Sequence, residues 1–353
     1  MKIDLLVNSL VSGGAERVLI ILANYFNKKG HDVTIITFNE PDIWKPDVGI
    51  KRVKLHGGNI KNHMVRSLVN LTNYYSKKTV RPDVLISFMI QTNLIGIIVS
   101  KLYRIKIIAS EHNNHLTQTD LIGRITRKYF YRLANKLTVL THFDKIYYDN
   151  LGIDTYVMPN PCTFDIYEEP VRKREKVILA VGDLNRYHHK GFDNLIKLIA
   201  PILKRNKNWK LKLVGDGIKG TNFLKTLLKE NNIQDSIILT GFSSEVSRIM
   251  KKSDIYIMTS RWEGLPMVLI EAMSQGMVCI SYDCKTGPSE IINNEVNGVL
   301  IEDQNMQKMS VMLEKLMNDD SKREVLAKEA TKSLKRYQIS SIYLRYIQLI
   351  NSL

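Results

Sequence analysis

The sequence contains few cysteines, and their number and spacing exclude two classes of protein. Only Cys162, Cys279 and Cys284 occur among the 353 residues. They are odd in number and are not spaced as in a disulfide framework or a zinc site. We therefore predict a protein of a reducing cytoplasm with no metal ion. Cys279 lies in an apolar run and is predicted to be a small core residue.

Long apolar segments are also missing. Runs such as Leu94–Val99 are far shorter than the roughly 18 residues that a membrane-spanning helix needs. The first residues, Met1–Val7, read as a strand and lack the basic, apolar and small-residue regions of a signal peptide. These absences predict a cytoplasmic chain that does not cross a membrane.

Acidic residues are scarce relative to basic ones. The chain carries 51 Lys and Arg against 35 Asp and Glu, a net charge of +16. Residues 1–160 hold 22 of these bases and 12 of the acids. Such an excess indicates an anionic partner: a nucleic acid, a phosphorylated ligand or an acidic lipid surface. Because no nucleic-acid-binding motif or basic low-complexity tail is present, we predict no nucleic-acid partner.

The hydrophobic pattern predicts an α/β fold with two doubly wound parallel sheets. A chain of this length favours two domains, and short Val/Ile/Leu-rich runs alternate with longer helical patterns in each half. The predicted strands of the first half are Ile3–Asn8, Asp32–Phe38, Asp83–Phe88, Lys106–Glu111 and Leu137–Thr141. Those of the second half are Val177–Val181, Lys210–Val214, Ile237–Thr240, Ile255–Thr259 and Val278–Tyr282.

Two prolines in Met158–Pro161 predict a hinge between the halves, because proline enforces extended backbone and ends a helix. We therefore predict a first domain over residues 1–160 and a second over 161–335. Residues 336–353 are predicted to form a terminal helix that packs back on the first domain.

The segment Ser260–Met273 is the most informative in the chain. Gly264 permits a tight turn and Pro266 favours a first helical turn. The free amides at that helix start can bind an anion such as a diphosphate. The amides in question belong to Leu265, Met267 and Val268.

Two carboxylates flank this predicted helix start. Glu263 precedes the helix and Glu271 lies more than a turn into it, so each can accept hydrogen bonds from a different vicinal diol. A sugar and a ribose would supply those diols, which points to a nucleotide sugar. The alternative is that Glu263 only caps the helix, worth roughly 0.3–1 kcal/mol through the helix dipole.

Further candidate residues follow predicted strands, where ligands bind in open α/β sheets. Gly14, in the loop Ser12–Arg17, permits close approach of a phosphate, or it belongs to a plain strand-to-helix turn. Lys190 and Arg186 precede a helix and can neutralise a departing nucleoside diphosphate, or they are simply solvated. His112 follows the fourth predicted strand and can bond a sugar hydroxyl, or it anchors its loop.

One basic and aromatic segment, Gly123–Lys136, reads as a helix that can lie against an anionic membrane. The alternative is an ordinary amphipathic helix with a solvated basic face. The predicted helix Ile60–Lys78 raises the same question more weakly.

Together these residues resemble the family 4 glycosyltransferases, which are retaining enzymes of the GT-B fold. The resemblance covers essentially the whole chain, and the spacing of Glu263 and Glu271 carries most of it. The other matching segments are Lys190–Phe192, Val214–Gly217, Thr240–Phe242 and Gly287–Ile292.

The resemblance implies that the second domain holds the nucleotide sugar, the first takes the acceptor, and reaction occurs in the cleft between them. Glu263 would bind the donor sugar and Glu271 the ribose. The diphosphate would bind to Lys190, Arg186 and the backbone amide of Gly14. The outer hydroxyls of the sugar would face His112. The implied catalytic residues are His112, Lys190 and Glu263, and no cofactor or metal is expected.

One departure concerns Asp183. Many relatives have an arginine directly after the glycine that ends this strand, whereas Asp183 follows Gly182 here. We take Arg186 as the substitute, with Arg261 as a second candidate.

The segment Tyr282–Glu290 is similar to bacterial members that build exopolysaccharide, O-antigen or lipid-linked glycans. This implies a UDP-hexose or UDP-N-acetylhexosamine donor and a glycan acceptor linked to undecaprenyl diphosphate. The basic N-terminal half would hold the enzyme peripherally at the cytoplasmic face of the inner membrane. The alternatives are a catalytically idle GT-B partner protein and a UDP-sugar 2-epimerase, against which Glu263 and Glu271 argue.

Overall fold

A computed structural model of the protein describes residues 1–11, 13–167 and 174–353. The chain divides into two compact units. The first unit comprises residues 1–161 and 337–353, and the second comprises residues 162–336. The first division falls directly after Pro161, within a segment where two prolines disfavour regular structure.

The first unit contains a parallel sheet with helices on the connections. Its strands are β1 (Lys2–Val7), β2 (Asp32–Thr37), β3 (Lys51–Lys54), β4 (Val84–Phe88), β5 (Lys106–Ser110), β6 (Lys136–Val139) and β7 (Thr155–Val157). Their spatial order is β3-β2-β1-β4-β5-β6-β7, and every neighbouring pair is parallel. The order reverses between β1 and β4, which is the doubly wound arrangement.

Helices cover both faces of this sheet, as crossovers between parallel strands require. They are α1 (Gly14–Lys28), α2 (His63–Ser76), α3 (Ile90–Tyr103), α4 (Leu121–Ile125) and α5 (His142–Asn150). The core strands are apolar and fully buried over most of their length, as in β4. This burial on both faces explains their continuous apolar runs.

A terminal helix, α14 (Ile339–Asn351), belongs to the first unit and packs on α1. Tyr343 lies 5.3 Å from Tyr25 and 5.6 Å from Phe26, measured between ring centroids. The hydroxyl of Tyr343 is 3.0 Å from Nε2 of His31. The predicted return of the last helix to the first domain is therefore confirmed.

The second unit repeats the same architecture. Its strands are β8 (Glu175–Val181), β9 (Lys210–Val214), β10 (Ile237–Gly241), β11 (Ser253–Met258), β12 (Val278–Tyr282) and β13 (Val299–Ile301). They form a parallel sheet in the order β10-β9-β8-β11-β12-β13. Here the order reverses between β8 and β11, so ligands are expected beyond the carboxyl ends of those two strands.

The helices of the second unit enclose an apolar core centred on β8, β9, β11 and β12. They are α6 (Tyr187–Lys190), α7 (Phe192–Arg205), α8 (Ile218–Glu230), α9 (Val246–Lys252), α10 (Met267–Ser274), α11 (Pro288–Ile291), α12 (Met306–Asn318) and α13 (Asp320–Ser333). Cys279, on β12, is fully buried in this unit, as predicted.

All ten predicted strands are present, and each end lies within two residues of its predicted position. Three further strands, β3, β7 and β13, were not predicted, and each lies at the edge of a sheet. Each of the three is only three or four residues long, and β3 and β7 are partly exposed, so none contains an apolar run long enough to identify a buried strand. Because β3 adds one strand before it in the chain, the strand that His112 follows is the fifth, β5, and not the fourth as predicted.

The two basic segments differ from each other. Residues 60–78 contain the regular helix α2, as predicted. Residues 123–136 do not form one regular helix, because α4 gives way to a π-helical turn over Thr126–Phe130 and a 3-10 turn over Tyr131–Leu133. Among the described residues, no helix combines the length and apolar character needed to cross a membrane.

Candidate active site

The candidate site of the second unit is built from loops at the point where its strand order reverses. The chain leaves β8 at Val181 and reaches Lys190 at the end of α6. It leaves β11 at Met258 and reaches Glu263 before α10. Since β8 and β11 are parallel neighbours, their carboxyl-end loops meet at the same edge of the sheet.

Lys190 and Glu263 form an ion pair at this edge. The Lys190 ammonium donates to Oε1 of Glu263 at 2.8 Å, and the Ser260 hydroxyl donates to the same oxygen at 2.6 Å. The Lys190 side chain is 19% exposed and that of Glu263 is 9% exposed. The sequence predicted a functional role for both residues, but it did not predict that they bind each other.

A glycine fixes the position of Lys190. Gly191 has a φ of +67° and lies so close to β11 that a Cβ atom would approach the Thr259 carbonyl oxygen to 1.9 Å. The Thr259 hydroxyl also donates to the carbonyls of Lys190 and Gly191, each at 3.1 Å. A side chain at position 191 would therefore displace the loop that carries Lys190.

A cavity of about 200 Å³ lies beside the ion pair. It brings together five of the predicted site residues: Lys190, Glu263, Leu265, Met267 and Val268. The rest of its lining comes from the ends of β8 and β11 and from Ser260, Phe192 and Pro266. A cation, a carboxylate, a hydroxyl and the start of a helix thus face one apolar-walled space, an arrangement that can bind a polar ligand.

The helix start differs from the prediction by one residue. Helix α10 begins at Met267, and Pro266 is the residue before it, with an extended backbone (φ −72°, ψ 95°). The amides of Met267 and Val268 are therefore the first two of the helix, where the helix itself offers no acceptor. Glu271 is the fifth helical residue, more than a turn from the start, as predicted.

Glu271 lies outside the cavity lining. Its side chain is buried, and its Oε1 accepts a hydrogen bond from the Thr163 hydroxyl. The carboxylate is therefore hydrogen-bonded to Thr163, the second residue of the second unit. The structure does not bring it into the same cavity as Glu263.

Thr286 and Gly287 support the Glu263 loop, and sequence reasoning did not select Thr286. The Thr286 hydroxyl donates to the backbone carbonyl of Glu263. Gly287 has a φ of +95°, and a Cβ atom there would lie 2.5 Å from the Gly264 carbonyl oxygen. The Thr-Gly-Pro sequence after β12 signals a tight turn, but only the fold shows which loop that turn supports.

Arg186 is exposed and does not line the cavity. Its guanidinium donates to Nδ1 of His189. That ring stacks on Trp262 at 4.5 Å and donates through Nε2 to the Trp262 carbonyl at 2.7 Å. Burial lowers the pKa of His189, which keeps the ring neutral and able to accept from Arg186.

The second candidate for the diphosphate arginine, Arg261, has a different partner. Its guanidinium binds both carboxylate oxygens of Asp193, at 2.8 and 3.0 Å. This ion pair lowers the pKa of Asp193. Arg261 therefore joins its loop to α7, and its charge is balanced by a carboxylate.

The two remaining predicted residues belong to the first unit. Half-buried His112 follows β5 and stacks on Phe88, with ring centroids 5.1 Å apart. Burial lowers its pKa to about 4, so the ring is neutral near pH 7. Gly14 is the first residue of α1, and the Glu16 carboxylate folds over the preceding Gly13. Ser12, part of the same predicted phosphate loop, lies outside the described residues.

Two doubly wound parallel sheets with a cavity at a reversal of strand order fit a two-domain glycosyltransferase, and comparison with known proteins identifies the family. Residues 12–164 match the family Glycosyltransferase Family 4, and residues 163–333 match Glycosyl transferases group 1. The chain belongs to the family 4 glycosyltransferases and has the GT-B fold.

Two curated relatives align over nearly their whole length. The amylovoran biosynthesis glycosyltransferase AmsD of Erwinia amylovora is 28% identical over 96% of each chain. A Campylobacter jejuni α-1,4-N-acetyl-D-galactosaminyltransferase that acts on a diphospho-undecaprenol-linked glycan is 28% identical over 99% of this chain and 98% of its own. Among solved structures, Anabaena HepE in complex with UDP superposes with a TM-score of 0.80 at 19% identity, covering 100% of both chains.

Proposed function

We propose that this glycosyltransferase moves a hexose or N-acetylhexosamine from a UDP-sugar to a glycan acceptor, with retention of the anomeric configuration. The observation that carries the proposal is the Lys190–Glu263 pair beside the start of α10. A lysine and free helix amides suit a diphosphate, and a carboxylate suits sugar hydroxyls. The complex of the neighbour HepE with UDP supports a uridine nucleotide as the donor.

The acceptor in this proposal is a glycan carried on undecaprenyl diphosphate, in the synthesis of a bacterial surface polysaccharide. The Campylobacter relative acts on such a lipid-linked glycan, and AmsD takes part in amylovoran synthesis. The basic excess of residues 1–160 would hold the protein peripherally at the cytoplasmic face of the inner membrane. Failure of vesicles rich in anionic lipid to retain the protein at low salt would contradict this membrane part.

In the reaction that we propose, the acceptor hydroxyl attacks the anomeric carbon on the same face from which the UDP departs. The donor's own phosphate takes the proton of that hydroxyl as the bond to UDP breaks. Lys190, Arg186 and the first amides of α10 stabilise the negative charge that develops on the departing diphosphate. Glu263 binds the transferred sugar, Glu271 binds the ribose, His112 bonds the sugar's outer hydroxyls, and the Gly14 amide approaches the phosphates.

Donor binding is the test of this function. Ligand-observed NMR of the full chain against UDP-, GDP- and ADP-sugars should show selective binding of a UDP-sugar. The conservative variant Glu271→Gln keeps the shape of the side chain and the bond with Thr163, but it removes the charge. We expect it to weaken UDP-sugar binding about tenfold, because a charged acceptor binds a hydroxyl more strongly than a neutral one.

Three results would contradict the proposal. Preference for a GDP- or ADP-sugar would overturn the UDP assignment, and unchanged binding by Glu271→Gln would remove Glu271 from the donor site. If no nucleotide sugar bound at all, the chain would act instead as an idle GT-B partner.

A further inference from the structure

The first unit contains a second cavity, which the proposed donor chemistry does not use. It has a volume of about 590 Å³ and lies beyond the carboxyl end of β5. Its walls are the loop of residues 115–119, the irregular helical segment that follows α4, and Tyr147 of α5. We refer to this cavity as the basic pocket, because Arg124, Arg127 and Lys128 line it.

A buried ion pair gives the basic pocket its shape. Arg127 binds Glu111 at 3.3 Å, and both side chains are almost fully buried. The same guanidinium donates to the carbonyls of three loop residues, at 3.0 to 3.3 Å. Those residues are His115, Thr117 and Asn114. The loop is therefore wrapped around Arg127 and held in place before any ligand arrives, which lowers the cost of binding one.

Aromatic stacking fixes the wall that carries His115. The ring of His115 stacks on Tyr147 at 4.2 Å and on Phe143 at 4.8 Å. Its Nδ1 lies 2.8 Å from Asp144, which also accepts a bond from the Thr141 hydroxyl at 2.7 Å. Asp144 and Glu111 are thus already engaged with groups of the protein itself. A third acid, Asp120, is exposed beside the pocket and caps α4, where its Oδ1 accepts from the Gly123 amide at 2.8 Å.

The other two bases are available to a ligand. Arg124 and Lys128 are exposed, and within the part of the chain that the structure describes neither forms an ion pair. The hydroxyls of Thr117 and Thr119 and the amide of Gln118 also line the pocket. The Lys128 ammonium lies 5.3 Å from the centroid of the Tyr129 ring. Two cations without an ion-pair partner, beside neutral polar groups, suit a multiply charged oxyanion such as a diphosphate.

The rim of the basic pocket is apolar, although it faces solvent. Leu116 lines the pocket and is 50% exposed. Leu121 (64% exposed) lies three residues before Arg124 in α4, so the two are neighbours on the helical surface. Ile125 (38% exposed) follows Arg124 and ends α4, directly before the π-helical turn that carries Lys128. A free anion would leave this apolar surface exposed to water. A diphosphate attached to a hydrocarbon chain would bury it, which favours binding.

We propose that the basic pocket binds the diphosphate of the lipid-linked acceptor, with Arg124 and Lys128 on the phosphates and the first isoprene units against Leu116, Leu121 and Ile125. This inference rests on the proposed function for the identity of the acceptor. It adds a recognition site for the lipid carrier that is separate from the residues that hold the donor.

The test uses farnesyl diphosphate as the probe, titrated into the full chain in saturating UDP so that the donor site is filled. We expect Arg124→Gln/Lys128→Gln to weaken farnesyl diphosphate binding tenfold or more, since each lost charge-assisted contact is worth about a factor of ten. The matched control is Arg132→Gln, an exposed base of the same segment outside the pocket, which should change binding less than about twofold. These three exposed positions can be changed without loss of the fold.

Two further ligands distinguish the sources of the anion. Inorganic pyrophosphate should bind more weakly than farnesyl diphosphate, and farnesol should not compete. Equal affinity for pyrophosphate would overturn the lipid assignment, and equal affinity for farnesol would overturn the anion assignment. An equal loss with Arg132→Gln, or no loss with the double variant, would overturn the pocket.

A UDP titration of the same wild-type protein separates this inference from the proposed function. If UDP binds but farnesyl diphosphate does not, only the basic pocket fails. If UDP does not bind, the donor assignment fails, and the farnesyl diphosphate comparison between variants still decides whether the pocket is an anion site.

Discussion

The two units each hold a carboxylate–cation pair beyond the carboxyl ends of their strands, yet the pairs differ in what surrounds them. Glu111 and Arg127 are almost fully buried, and Tyr131 also donates to Glu111, at 2.8 Å. Lys190 and Glu263 are partly exposed and line a cavity. The first pair holds a loop in place, whereas the second can exchange its partner for a ligand.

The number of hydrogen bonds separates the two roles. Arg127 makes four hydrogen bonds through its three nitrogens, to Glu111 and to three backbone carbonyls. Among the described residues, the Lys190 ammonium has Glu263 as its acceptor, which leaves two of its three protons for a ligand. A cation that is saturated by backbone carbonyls stabilises the fold, and a cation with spare donors can serve chemistry.

The largest effect is expected from a substitution that breaks the buried Glu111–Arg127 pair. Arg127→Met leaves the Glu111 carboxylate without its counter-ion, and such a loss costs about 3–5 kcal/mol. Hydrogen–deuterium exchange over residues 111–131 should show the opening free energy of this segment falling by that amount. The matched variant Lys190→Met should destabilise its own loop by less, about 1–3 kcal/mol, because Glu263 keeps its bond with the Ser260 hydroxyl and faces a cavity. Equal effects at both sites would refute the distinction.

The next effect concerns turnover. Lys190→Ala and Glu263→Ala should each lower kcat by about 100-fold or more, the usual cost of removing a group that stabilises developing charge. The control is Lys197→Ala, which removes an exposed lysine of α7 in the same unit and should leave kcat unchanged. Near-wild-type rates for both site variants would show that this cavity is not where transfer occurs.

A pair of glycines tests the backbone at the two sites. Gly191→Ala places a methyl group against the Thr259 carbonyl at a positive φ, and we expect the second unit to lose about 1–3 kcal/mol of stability. Gly14→Ala in α1 meets no atom within 4 Å and should not destabilise the first unit. Calorimetry of both variants makes the comparison. A stable Gly191→Ala variant would show that the Lys190 loop is not held by this contact.

The sequence was sufficient for the fold because apolar runs identify buried strands without regard to their neighbours. The strands it missed, β3, β7 and β13, lie at sheet edges. In β3 the exposed Lys51 and Lys54 interrupt the apolar pattern, and β7 and β13 are only three residues long. The irregular helix after α4 was also missed, because its charged residues follow helical spacing although Arg127 points into the protein.

The candidate site was predicted in part. Five residues selected from the sequence line one cavity, because strand ends and a helix start are local features that the sequence specifies. Partners were not predictable, since the bonds of Glu263 with Lys190 and of Arg186 with His189 depend on loop geometry. The role of Thr286 was not predictable either, because Thr286 lies 23 residues along the chain from Glu263, whose carbonyl accepts its hydrogen bond.

The smallest net effect is a dependence of the first unit's stability on pH, because two groups with shifted pKa values oppose each other there. In the first unit, burial lowers the pKa of His112 from 6.5 to about 4. Between pH 4 and pH 6.5, His112 is therefore protonated in the unfolded chain but neutral in the folded chain. Acidification from pH 6.5 to pH 4 should destabilise the first unit by at most about 1.4 kcal/mol per pH unit, with no contribution from His112 above pH 7.

The buried Asp4 of the same unit works in the opposite direction. Burial raises the pKa of Asp4 on β1 from 3.8 to about 6, so the folded chain binds a proton that the unfolded chain releases over that interval. Stability from Asp4 is therefore lost as the pH rises from 3.8 to 6, which partly cancels the effect of His112. The variant His112→Phe, which keeps the stacking on Phe88, should unmask the Asp4 slope, so that the first unit becomes more stable on acidification from pH 6 to pH 4. Denaturation of the variant and the wild type across this range measures both slopes, and identical profiles would show that His112 is not the buried neutral base that its surroundings imply.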